Sequence, residues 1–135
     1  MTTIVLDTNI LISGLFWEGN ERKLILLCRN NTFESITSPH ILKETNDVLR
    51  EKFEVPEDKV ESYMRDILIF SDLRFPKGTI KVIEEDPPDN YILETAILGK
   101  AKYVITGDGH LLNLHSFNDG SIVNTSTFFK EMNIV

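Results

Sequence analysis

Short β-branched apolar runs alternate along this chain with segments whose apolar residues recur at helical spacing, and no other feature of the sequence restricts the fold so strongly. Thr2 to Leu6 is the first such run; it ends in Asp7-Thr8-Asn9, after which Ile10, Leu11, Leu15 and Phe16 fall at helical spacing. Asn20 is placed to cap a second helix running through Cys28, and Phe33 to Ser38 reads as a second strand. Ser38-Pro39 opens a helix reaching about Phe53, because proline suits a first helical turn whose N–H has no partner anyway. Pro56-Glu57-Asp58 starts a further amphipathic helix with Val60, Tyr63, Met64, Ile67 and Leu68 on one face, and Thr79 to Ile83 reads as extended. Asp86-Pro87-Pro88-Asp89 begins a helix that is apolar nearly all round, through Tyr91, Ile92, Leu93, Ala96, Ile97 and Leu98, so deep packing is expected before Gly99 ends it. Lys102 to Thr106 is a third core strand, Gly107-Asp108-Gly109 a turn and His110 to Leu114 a short helix; Ser121 to Asn124 precedes a last helix capped by Thr125 or Ser126. Strands that alternate with helices in this way predict an α/β fold: a central, mainly parallel sheet flanked by helices on both faces and joined by right-handed crossovers.

A length of 135 residues suits one domain spanning 1–135, and no Gly/Ser-rich, Pro-rich or single-sign tract suggests a linker. The start, Met1-Thr2-Thr3-Ile4-Val5-Leu6-Asp7, has no basic region and an acid interrupts its apolar run, so neither a signal peptide nor a membrane anchor is expected. The lone cysteine, Cys28, lies in an apolar run where a buried thiol is favoured over a disulfide. These readings point to a cytoplasmic protein that does not engage a membrane. The net charge of −7 opposes holding a polyanion by bulk electrostatics, although two bound divalent cations would bring it to about −3.

The acids fall in an informative pattern. In a sheet of this class the functional crevice lies beyond the carboxyl ends of the strands. Asp7 follows the first strand and Asp108 follows Tyr103-Val104-Ile105-Thr106, so parallel strands place both at one edge; Asp89 occupies the first turn of a helix that could return there. Glu44 lies about 40° outside the arc of Ile41, Thr45, Val48, Leu49 and Lys52, so it is expected to point toward the body of the protein, where an acid needs a partner. Taken singly, Asp7, Asp86 and Asp108 each suit a helix cap, and Glu44 could pair with an arginine. Four acids from separate segments meeting at one edge would repel one another unless a cation sat among them, and carboxylate oxygens are the hard ligands that Mg²⁺ and Mn²⁺ prefer; no Cys/His cluster offers a zinc site.

Three segments resemble the PIN domain nucleases, which include VapC-type toxins of toxin-antitoxin pairs. They are Val5-Leu6-Asp7-Thr8-Asn9-Ile10-Leu11-Ile12-Ser13, Ser38-Pro39 to Glu44, and Asp86-Pro87-Pro88-Asp89-Asn90-Tyr91-Ile92-Leu93-Glu94-Thr95-Ala96 through Thr106-Gly107-Asp108-Gly109-His110-Leu111-Leu112. The resemblance implies a PIN fold, metal-dependent hydrolysis of RNA with Mg²⁺ or Mn²⁺, a homodimer and a small antitoxin as partner. It maps the catalytic and metal-holding acids onto Asp7, Glu44, Asp89 and Asp108, and polar support onto Asn9 and Thr106. Relatives often carry a further acid where this chain has His110, which makes a surface histidine the expected reading there and leaves the number of bound metals open. Such a site would give in-line hydrolysis with 5′-phosphate products. Arg22, Lys23, Arg29 and Lys43 are candidate RNA contacts, each also readable as part of a solvated helix face, while Phe16 and Trp17 fit core or dimer contacts better than base stacking.

Other functions fit less well. A phosphoacceptor signalling domain needs an acid pair after the first strand, yet Asp7 is followed by Thr8-Asn9. A haloacid-dehalogenase-like phosphatase needs an acid at position 9, where asparagine stands. A PIN scaffold that binds RNA or protein without cutting is the closest alternative.

Overall fold

The computed structural model describes residues 1–78 and 87–135, with only the backbone described for Pro87 and Pro88. The expected extended run Thr79–Ile83 and the cap expected of Asp86 lie outside the described residues. Elsewhere the elements follow the pattern of alternation: β1 (Thr2–Leu6), α1 (Thr8–Phe16), α2 (Asn20–Arg29), β2 (Phe33–Thr37), α3 (Pro39–Asp47), α4 (Glu57–Phe70), β3 (Ser71–Leu73), α5 (Pro87–Leu98), β4 (Tyr103–Ile105), α6 (Gly109–Leu112), β5 (Ser116–Phe117), β6 (Gly120–Val123) and α7 (Thr125–Glu131). The six strands form one sheet in the order β3-β2-β1-β4-β6-β5. All neighbours run parallel except β5, which joins β6 in a short antiparallel hairpin at the edge. Among the described residues no helix is long and apolar enough to cross a membrane.

β1 is the hinge of this topology. The chain leaves it toward β2 on one side and later returns as β4 on the other, so the crevice between the carboxyl ends of β1 and β4 is a topological switch point. The central strands are apolar on both faces because helices cover both, and Ile4, Val5, Leu6, Ile36, Val104 and Ile105 are all buried. Helix α5 buries Ile92, Leu93 and Ala96 in the core as its composition predicts, while Tyr91 and Ile97 are half-buried and Leu98, at its end, is exposed. The core extends through α7, where Phe128 meets Phe33 and Tyr103 edge-on.

Several local expectations are corrected. Asn20 does not cap α2: the cap position is Gly19, at φ 153°, with no side-chain bond, and Asn20 is the first helical residue. The last helix is capped by Asn124, whose side chain accepts from Thr127 N at 2.8 Å, one residue before Thr125 and two before Ser126. The helix from Pro39 continues to Lys52, but its last turn is widened, and Phe53 N donates to the Val48 carbonyl five residues back. Helix α5 does end at Gly99, yet the left-handed residue is Lys100, at φ 54°. Gly99 is needed for a different reason: a Cβ there would stand 2.8 Å from Ile36, which is fully buried. The two short strands β3 and β5 had no counterpart in the sequence pattern.

Candidate active site

Asp7 is the centre of the site. Its backbone continues β1, donating to the Ile105 carbonyl at 3.0 Å, while its own carbonyl accepts from Ile10 and Leu11 and so starts α1. The strand and the helix together fix the side chain, which is only 3 % exposed. Oδ1 accepts from Thr8 N at 2.7 Å, so the residue is a helix cap, as its position suggested. Oδ2 accepts from the Thr106 hydroxyl at 2.7 Å and from Asn9 Nδ2 at 3.1 Å. Capping and site formation are therefore two uses of one carboxylate, one oxygen for each.

Thr106 and Asn9 tie this carboxylate to the loop after β4. The buried Thr106 hydroxyl accepts from Asp108 N at 3.0 Å, and Asn9 Oδ1 accepts from Gly107 N at 2.8 Å. Asp108 in turn caps α6, accepting from His110 N at 2.8 Å, and His110 itself is exposed. The two residues that the resemblance named as polar support thus bridge the two loops of the switch point.

Burial raises the pKa of Asp7 above the ordinary aspartate value, the bonds from Thr106 and Thr8 pull it back, and the negative charges of Glu44 and Asp108 push it further up. Asp7 is thus short of positive charge. Among the described residues the ion pairs join Lys43 to Asp47 and Arg50 to Glu57, and neither involves Asp7. Part of the compensation comes from the backbone: α1 and α3 begin just beyond the carboxyl ends of β1 and β2, with their N-termini at this edge. Helix α5 leads into the amino end of β4, so its own first turn, with the buried Asp89, lies at the same edge.

Glu44 differs from expectation. It is exposed rather than turned into the body, because the buried stripe of α3 is narrow, consisting of Ile41 and Thr45 and then Leu49. The widened turn after Asp47 rotates the following residues out of the expected arc, leaving Lys52 exposed and Val48 half-buried. Glu44 lines a groove of about 440 Å³ between α3 and α5, together with Thr8, His40, Lys43 and Tyr91. The groove therefore adjoins Asp7 through Thr8.

The donor chemistry of Asp7, Glu44, Asp89 and Asp108 fits a hard divalent cation, and the shortage of positive charge at Asp7 fits one too. As the side chains stand, no three Asp, Glu, His or Cys residues among the described residues are grouped closely enough to hold a metal ion.

Sequence reasoning missed two features of this edge. Glu94 is a buried acid on α5 that accepts from Lys77 N, holding the segment after β3 to that helix. The His40 and Tyr91 rings stack with centroids 3.6 Å apart and an interplanar angle of 16°. No local spacing signals the stack, because its two rings come from separate helices, α3 and α5. Of the proposed RNA contacts only Lys43 lines the groove. Arg22 is committed to the Gly14 and Leu15 carbonyls, Lys23 bonds the Val135 carbonyl, and Arg29 lies where α2 leads into the amino end of β2, at the opposite edge. Phe16 and Trp17 pack with Phe53, and Phe16 also with Tyr63.

Comparison with known proteins adds three findings. No curated protein matches the sequence. Among solved structures, one chain of the VapBC2 complex from Rickettsia felis, crystallised with a DNA fragment from its promoter, superposes with a TM-score of 0.63 at 16% identity, covering 91% of this chain and 98% of that one. At that identity the likeness establishes the fold. The family model of the PIN domain matches residues 3–110, a span that holds Asp7, Asn9, Glu44, Asp89, Thr106 and Asp108, and the chain belongs to the PIN domain family.

Proposed function

We propose that this protein is a divalent-metal-dependent endoribonuclease that hydrolyses RNA phosphodiester bonds, with Asp7, Glu44, Asp89 and Asp108 as the catalytic and metal-holding acids. The observation that carries the reading is the state of Asp7: a buried carboxylate at the switch point, oriented by Thr106 and Asn9, with Glu44 and Asp108 adding negative charge and no ion pair at it among the described residues. What a bound Mg²⁺ or Mn²⁺ supplies is neutralisation of the phosphate and a lower pKa for water. The chain's own part is positional. Thr106 and Asn9 hold one oxygen of Asp7 in a fixed direction, while Thr8 N occupies the other. The Thr106 bridge to Asp108 N keeps the second loop in register with the first. The helix N-termini at the edge favour a phosphate group there.

The likeness to a chain of the VapBC2 complex supports a further element of the proposal, that the protein acts in the cytoplasm as the toxin of a toxin-antitoxin pair, with a small antitoxin as partner and a second copy as its dimer mate. The open spacing of the acids favours one alternative, a PIN scaffold that binds without cutting. Cleavage of an RNA panel in EDTA, Mg²⁺ and Mn²⁺ by wild type and Asp7→Asn separates the two. The enzyme reading requires cleavage that depends on metal and on Asp7 and leaves 5′-phosphate ends. Binding without cleavage supports the scaffold, and cleavage persisting in EDTA contradicts a metal-dependent site.

A further inference from the structure

We infer that His40, backed by Tyr91, is a stacking platform for one nucleobase of the RNA in the groove beside the carboxylates, an inference that rests on the ribonuclease reading. His40 is the second residue of α3 and is exposed, while Tyr91 belongs to the first turns of α5 and is half-buried. Their rings lie nearly parallel with centroids 3.6 Å apart, so Tyr91 fixes the imidazole plane and leaves its other face toward the groove or solvent. Gly78 closes in on the phenol: at φ 79°, it has no Cβ where one would meet the Tyr91 hydroxyl at 2.7 Å. The ring that backs His40 is thereby held from two sides. A surface side chain immobilised in this way loses little freedom when a planar ligand lands on it.

The position specifies what that ligand is. Thr8 and Glu44 line the same groove, and Thr8 N is bonded to Asp7. A nucleotide whose phosphate stands at Asp7 has its base within reach of this groove, whose volume of about 440 Å³ accepts a base and its ribose. Lys43 on the groove wall, beside its Asp47 partner, offers a cation to the adjoining backbone. Stacking on a ring discriminates weakly among bases, so the platform confers affinity for an unstacked, single-stranded nucleotide rather than for a given sequence.

The test is binding of a fluorescent single-stranded RNA octamer in Ca²⁺ and in EDTA, read by anisotropy, for wild type, His40→Ala and His40→Phe, with an abasic nucleotide moved along the oligomer. His40→Ala is expected to weaken binding about tenfold, His40→Phe to restore it, and one abasic position to weaken wild type but not His40→Ala. Equal sensitivity of wild type and His40→Ala to every abasic position, or unchanged affinity in His40→Ala, overturns the platform, as does a wild type that binds no RNA. Metal-dependent cleavage measured in parallel keeps the two readings apart. A platform effect without cleavage refutes the enzyme but upholds the subsite, and cleavage without a platform effect does the reverse.

Discussion

Replacing Thr106 by valine removes one hydroxyl and leaves the shape of a fully buried side chain nearly unchanged. That hydroxyl donates to Asp7 Oδ2 at 2.7 Å and accepts from Asp108 N at 3.0 Å. Losing a hydrogen bond to a charged group costs about 1.5–3 kcal/mol, and leaving the Asp108 N–H without its acceptor adds roughly 1 kcal/mol. The sum is about 2.5–4 kcal/mol. At an unfolding entropy of about 2.1 cal/mol/K per residue, 135 residues turn this into a fall in Tm of roughly 9–14 °C. The loss depends on pH in a determined direction. The Thr106 bond opposes the burial that raises the pKa of Asp7, so the variant has a still higher native value. An acid whose native pKa lies above its unfolded value loses stability as pH rises through the interval between the two, because the folded chain there holds a proton the unfolded chain has released. Thr106→Val widens that interval upward, so its destabilisation is larger at neutral pH and shrinks as pH falls to the ordinary aspartate range. Urea denaturation in EDTA at about pH 7 and about pH 4 measures both quantities. A loss under about 0.5 kcal/mol at neutral pH, or the same loss at both pH values, refutes the reasoning.

Asp7→Asn removes the titrating group, so in EDTA the fall in stability with rising pH just above the ordinary aspartate range should diminish, and Tm at neutral pH should be no lower than wild type; a marked drop would show that the hydrogen bonds outweigh burial and the neighbouring acids. Lys100→Gly relieves a left-handed residue at φ 54° and should add about 0.5–1 kcal/mol, read from the urea midpoint. Gly99→Ala should do the opposite, losing about 1–3 kcal/mol, because its Cβ would stand 2.8 Å from the buried Ile36. Burial pushes the Cys28 thiol up to about 12, so it should resist alkylation in the folded protein and react at the rate of unfolding; prompt reaction would place it at the surface.

The sheet was legible because its central strands are short, β-branched and followed at once by helical spacing, and β1, β2 and β4 appear within a residue or so of their expected bounds. The edge strands were not. β3 has three residues and β5 two, too short for a period-two pattern, and each exists through pairing to a neighbour rather than through its own sequence. Asp7 and Asp108 were legible as strand-end residues, which parallel pairing of β1 with β4 brings to one edge. Glu44 was placed on the right helix but with the wrong exposure, since the expected apolar arc included Val48 and Lys52, whereas the buried stripe is only Ile41, Thr45 and Leu49. The caps were misplaced by one residue at Asn20 and at Asn124 because several cap-forming residues stand side by side at each start, and backbone geometry chooses between them. The His40–Tyr91 stack depends on how α3 meets α5, which no local pattern encodes.

The central claim is that the acids at the switch point form a divalent-cation site. Calorimetric titration of Mn²⁺ into wild type and into Asp7→Asn, Asp89→Asn and Asp108→Asn tests it most directly, because it reads binding without requiring turnover. The account expects saturable binding to wild type that each substitution weakens by tenfold or more. Absence of binding to wild type, or binding that survives Asp7→Asn undiminished, would contradict it.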